Sequence, residues 1–190
     1  MNIKFTINDY IEQHNLVLSS LDHREVQTGI DLIKKTIKEG KRVAVCGNGG
    51  SAANASHYIT DWNKMVHLHT GLSFDGICLS DNIGLITAYA NDLSYEDVFS
   101  EQVKNLLKKD DLLITLSGSG NSENVVRATN IANELGINTL TVCGYDGGKL
   151  KQLSKNSIWV KSMDMQICED AQLVFGHMVM KELCSVEIFL

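Results

Sequence analysis

At 190 residues, 44% hydrophobic and 21% charged, the chain has the size and composition of one globular domain. Seventeen Lys and Arg against 23 Asp and Glu give a formal charge of -6, so no net positive field draws in nucleic acid or an anionic membrane surface. No window reaches the roughly 18 uninterrupted apolar residues of a membrane span, and Met1 to Asn15 has no apolar signal-peptide core.

From the N-terminus, Leu16 to Glu39 carries apolar residues at helical spacing (Leu18, Leu21, Val26, Ile30, Ile33, Ile37) and ends at Gly40, a typical helix stop. Short apolar, β-branched runs then alternate with helical patterns. Strands are expected at Arg42–Cys46, Phe74–Leu79, Asp111–Leu116, Asn138–Cys143 and Ser157–Val160. Helices are expected from Ser51, over Asn82–Ala90, Tyr95–Leu107 and Glu123–Leu135, and from Gln166 onward. Strands apolar on both faces, joined through whole helices, pair in parallel. The expected fold is an α/β, doubly wound, five-stranded parallel sheet with helices on both faces and an N-terminal helical arm. Ligands of such sheets bind beyond the carboxyl ends of the strands.

Two of the loops there are distinctive. Gly47-Asn48-Gly49-Gly50-Ser51 opens an alanine-rich helix, where small residues let backbone N–H groups approach an anion; a tight strand-to-helix turn would use the same glycines. It lacks the third glycine of a dinucleotide fingerprint and the lysine of a P-loop. Ser117-Gly118-Ser119-Gly120-Asn121-Ser122 concentrates hydroxyls at a second helix start, which suits a phosphate monoester, although one serine would suffice as an N-cap. The third loop, Gly144 to Lys149, reads as a turn.

His57 and Asp61 stand four apart on the helix after the glycine loop, and Glu169 and His177 eight apart on the last helix, so each pair shares a face. Two histidines and two carboxylates suit zinc, and manganese, nickel or iron would accept the same set. Either pair could equally be an ordinary helix-surface pair. His14, His23, His67 and His69 read as solvated, and Trp62 and Trp159 as packing residues. The five cysteines, odd in number and without a C-x-x-C pair, read as reduced thiols of a cytoplasmic protein.

Together, the glycine loop, His57 and Asp61, Asn91-Asp92, the serine loop, Gly144 to Gly148, and Glu169 to His177 resemble the sugar isomerase (SIS) domain. They are most similar to the phosphoheptose isomerases, which convert sedoheptulose 7-phosphate into D-glycero-D-manno-heptose 7-phosphate. The resemblance covers nearly the whole chain and implies a single SIS domain over 1–190, with N-terminal helices in 1–40 and the α/β core in 41–190. It implies that Ser51, Ser117, Ser119 and Ser122, with Gly49, Gly50 and Gly118 between them, hold the phosphate, and that Asn48 and Asp92 contact sugar hydroxyls. It further implies zinc bound through His57, Asp61, Glu169 and His177, with Glu169 also touching substrate and Asp61 and His177 transferring the proton through a cis-enediol. Family members are homotetramers with sites at subunit interfaces, serving heptose synthesis for bacterial surface polysaccharides.

The chain departs from the family pattern in carrying Asp61 for glutamate, Glu169 for glutamine, Gly118 for threonine and Gln172 for a frequent histidine. Trp62-Asn63-Lys64-Met65 stands where an arginine-bearing segment is usual. An isomerase of another ketose phosphate would fit these changes, and a non-catalytic SIS module binding a sugar phosphate or a protein would need no metal ligands.

Overall fold

The apolar β-branched runs form five parallel strands in the computed structural model, which describes residues 6–185. The first five residues of the N-terminal stretch read above lie outside it. The strands are β1 (Val43–Gly47), β2 (Gly76–Cys78), β3 (Leu112–Ser117), β4 (Asn138–Cys143) and β5 (Asn156–Trp159), in the order β2-β1-β3-β4-β5. All neighbours pair in parallel, with Val45 opposite Ile114 and Ile114 opposite Leu140 at the centre.

Side-chain alternation along the strands makes two cores. Val43, Val45, Leu112, Ile114, Leu116, Leu140, Val142 and Ile158 pack against α1 (Ile7–Ser19), α2 (His23–Lys38), α3 (Gly49–Thr70) and α8 (Met165–Leu183). Ala44, Cys46 and Leu113 point the other way, into residues of α4 (Ile83–Asp92), α5 (Ser100–Leu106), α6 (Glu123–Glu134) and α7 (Gly148–Leu153). Fully buried side chains such as Ile33 and Leu140 each contribute about 1.5–3 kcal/mol of transfer free energy.

Three local differences from the sequence expectation have physical reasons. The apolar period read over Leu16–Glu39 is interrupted between α1 and α2, because Asp22 accepts a hydrogen bond from the Arg24 amide at 2.8 Å and starts the second helix as an N-cap. The run Tyr95–Leu107 divides into a 3-10 turn (Tyr95–Asp97) and α5. Gly148 and Lys149, read as the end of a turn, open the short helix α7 (Gly148–Leu153).

The strand order positions the site. The chain runs from β1 out to β2 and then back across to β3 on the other side of β1. The loops after β1 and β3 therefore leave their strands in divergent directions and open a crevice at the switch point between them.

Candidate active site

Asn48, Gly49, Gly50, Ser51, Ser117, Gly118, Ser119 and Ser122 line one cavity of about 220 Å³ at that crevice, closed by Leu116, Met165 and Glu169. The helix starts there are built differently from the rest. Of the described helices with ten or more residues, α1, α2, α4 and α8 have side-chain N-caps, whereas α3 and α6, the two that begin at the cavity, have none. No capping side chain covers the start of either helix, the arrangement that favours an anion.

The serine loop is rigid without occupying the cavity. Ser117 Oγ accepts from the Gly120 amide at 3.1 Å, and Ser119 Oγ accepts from the Asn121 amide at 3.2 Å. Gly120 has φ +66°, and a Cβ there would stand 2.2 Å from the Gly147 carbonyl oxygen, so only glycine lets the two loops touch. The third loop braces this one: the Leu150 amide donates to Gly120 O at 3.0 Å and the Lys149 amide to Asn121 Oδ1 at 3.1 Å.

Two other absent side chains shape the walls. A Cβ on Gly50 would lie 2.3 Å from Glu169 Oε2, and one on Gly118 would lie 2.2 Å from Met165 Sδ. The Glu169 carboxylate therefore lies directly over the glycine loop, and the Met165 thioether fills the room beside the serine loop.

The ligand set separates into two places along the seam of α3 and α8. His57 Nε2 lies 3.0 Å from His177 Nε2 and 3.2 Å from Asp61 Oδ2, and His177 Nε2 lies 3.9 Å from Asp61 Oδ2. Among the described residues these three offer ligand atoms within 4.8 Å of one another. Glu169, the fourth expected ligand, is not with them, because its carboxylate sits at Gly50, seven residues or roughly 10 Å of helix rise before His57. The seam itself is tightly packed. The Tyr58 hydroxyl donates to the Gln172 carbonyl, Trp62 Nε1 donates to Gly176 O at 3.1 Å, and Asn54 Nδ2 donates to Glu169 O at 2.9 Å. Burial pushes the Tyr58 phenol up, so it remains a neutral donor.

Asp92, expected at the sugar, is exposed at the end of α4, accepts from Asn91 Nδ2 at 2.9 Å and does not line the cavity. His23, His67 and His69 are exposed as expected, and His14 is half-buried. No described helix is long and apolar enough to cross a membrane. All five cysteines are free, and burial pushes the Cys78 and Cys143 thiols up to about 12.

Residues 9–144 match the family model of the SIS domain. The chain belongs to the SIS-domain family. Within it, the chain is 38% identical over 155 residues to the phosphoheptose isomerase of Helicobacter pylori, covering 81% of this chain and 80% of that protein. It is 34% identical over 178 residues to the phosphoheptose isomerase of Clostridium acetobutylicum, covering 93% and 90%. The solved phosphoheptose isomerase of Neisseria gonorrhoeae superposes with a TM-score of 0.86 at 25% identity, over 95% of this chain and 97% of that one. These likenesses set the chain among the phosphosugar isomerases of the SIS family.

For this SIS protein the sequence motifs missed three neighbours of the cavity. Met165 lines it, while Asn124 and Tyr95 hold Asn48 by hydrogen bonds of 2.9 and 2.8 Å. Their only sequence signal is position: Asn124 follows the serine loop by two residues, and Tyr95 follows Asp92 by three. At the departures from the family pattern, Gln172 is buried and accepts from Asn54 Nδ2 at 3.3 Å, Trp62 is core, and Asn63 Nδ2 donates to Gly76 O at 3.0 Å. Those residues hold α3 against α8 and against β2.

Proposed function

We propose that the chain interconverts sedoheptulose 7-phosphate and D-glycero-D-manno-heptose 7-phosphate. The observation that carries this reading is the pairing, on the same two helices, of an anion cradle at one end of the α3 and α8 seam with a His57, Asp61 and His177 cluster further along it. Ser51 and His57 are six residues apart on α3, roughly 9 Å of helix rise, which an extended seven-carbon sugar can bridge from phosphate to carbonyl end. The serine hydroxyls and free N–H groups hold the phosphate, with Ser51, Ser117, Ser119 and Ser122 as donors.

His57, Asp61 and His177 fit a divalent metal ion: two imidazole nitrogens and one carboxylate oxygen lie within 4.8 Å of one another, a donor set of the kind found at catalytic zinc sites. Zinc is the ion this set suits best, and Glu169 would join it only by swinging away from Gly50. When bound, the ion supplies charge stabilisation for oxygens that become negative during enolisation. His177 and Asp61 carry the proton between C1 and C2. Asp61 Oδ2 lies nearer His57 than His177, so His57 is the imidazole that Asp61 orients, and His177 is the one left to serve as ligand or as base, with Asp61 as its partner in the transfer.

In this reading residues 1–190 act as one SIS unit in the cytoplasm, where unpaired thiols persist. Exposed Ile7, Ile11, Leu16 and Ile83 support burial against further copies in a homotetramer. Proton NMR of the protein with sedoheptulose 7-phosphate, before and after chelator dialysis and after zinc is returned, tests the function. The aldose is expected to form, to stop forming on chelation and to return with zinc. No aldose from zinc-loaded protein would overturn the reading.

A further inference from the structure

Asn48 occupies the N-cap position of α3 but makes no side-chain capping bond. Its amide is held elsewhere. Asn48 Nδ2 donates to Asn124 Oδ1 and Asn124 Nδ2 donates back to Asn48 Oδ1, both at 2.9 Å, while the Tyr95 hydroxyl donates to the same Asn48 Oδ1 at 2.8 Å. Two paired amides could be turned over together without losing a bond. The backbone forbids it here: the Val125 N–H, which can only donate, reaches Asn124 Oδ1 at 3.0 Å. That atom is therefore the oxygen, and the orientation of both amides and the direction of the Tyr95 bond follow from it.

A side-chain amide has two acceptor lone pairs and two N–H donors. At Asn48 both lone pairs are occupied, by Asn124 and Tyr95, and one N–H is occupied by Asn124. One N–H remains, on a residue that lines the anion cavity. We infer that Asn124, aided by Tyr95, is a positioning residue that makes Asn48 present one hydrogen-bond donor and no acceptor to the bound sugar phosphate. The ligand atom met there is then an oxygen accepting through a lone pair. This polarity suits a hydroxyl oxygen of the sugar phosphate, which meets the N–H through a lone pair, and an acceptor at the same place would repel it. Buried Asn124 (3% exposed) is well placed for the task, since a solvated partner would let the amide turn.

The sugar end of this inference rests on the isomerase reading, whereas the amide lock does not. The test combines proton–nitrogen correlation spectra of the asparagine side chains with steady-state kinetics, for the wild type, Asn124→Ala and Tyr95→Phe. Inorganic phosphate and then sedoheptulose 7-phosphate are the probes. The two Asn48 Nδ2 protons are expected to be widely separated in the free wild type, with one of them moved by the sugar phosphate. Asn124→Ala should collapse the separation and raise KM about tenfold, the equivalent of one lost hydrogen bond, while phosphate affinity changes less than about twofold. Tyr95→Phe keeps the amide pair and should raise KM by a smaller factor, and it carries the test if Asn124→Ala does not fold. Unchanged Asn48 signals and KM in the variants, or phosphate affinity falling in step with melting temperature, would overturn the lock. If the wild type spectra show the lock but sedoheptulose 7-phosphate is not turned over, the isomerase reading fails and the lock stands.

Discussion

Glu169 lying over Gly50 and Met165 lying over Gly118 are contacts between a side chain and the absence of one, and both admit direct tests. Gly118→Thr should raise KM for the sugar phosphate several-fold, because the new side chain competes with Met165 for one space. Pairing it with Met165→Ala should recover most of the loss, and a double-mutant cycle measures that coupling. His177→Ala should lower kcat by about 10²–10⁴-fold, the usual contribution of a positioned base, with an unaltered circular dichroism spectrum. Most residues that line the cavity were legible in sequence, as glycine and serine clusters placed directly after strands. Met165, Asn124 and Tyr95 were not, because each owes its place to a tertiary contact with a loop distant in sequence. The separation of Glu169 from His57 was equally hidden: helical periodicity gives the face a residue occupies, not the height at which two helices lie against each other.

At the scale of elements, the seam of α3 and α8 carries the account, because it holds the cavity and the histidine cluster in one register. A Cβ on Gly176 would meet the Tyr58 ring at 2.2 Å, and that ring is fully buried with its centroid 4.9 Å from that of Trp62. Gly176→Ala should therefore destabilise the protein by about 1–3 kcal/mol, as overpacking does. That corresponds to a melting temperature lower by about 2–4 °C per kcal/mol at this chain length. α1 is fastened to the same seam by Tyr10, whose hydroxyl donates to Asp170 Oδ2 at 2.6 Å. That bond pushes the Tyr10 phenol up to about 12. The folded state then holds the proton more tightly than the unfolded chain, so the contribution is complete below pH 10 and is lost as pH rises toward 12. Melting curves between those limits should show Tyr10→Phe flatter than the wild type. The alternation of strands and helices could be read along the chain; the break between α1 and α2 could not, because the cap at Asp22 interrupts an apolar period that runs on through it.

For the molecule as a whole, the order β2-β1-β3-β4-β5 explains why the two anion-type loops meet although Ser51 and Ser117 are 66 positions apart. Parallel pairing and the position of a ligand beyond the strand ends followed from the sequence pattern, whereas which two loops flank the crevice depends on strand order, which periodicity does not encode. The central claim is that this crevice and the neighbouring histidine cluster move a proton between C1 and C2 of a ketose phosphate. The most direct measurement is proton NMR of the aldose formed from sedoheptulose 7-phosphate in deuterated water. Proton transfer through an enediol is expected to place deuterium at C2 of the aldose and, on return, at C1 of the ketose, with neither product nor exchange in His177→Ala. Aldose formation that continues at the wild-type rate in His177→Ala would contradict the account.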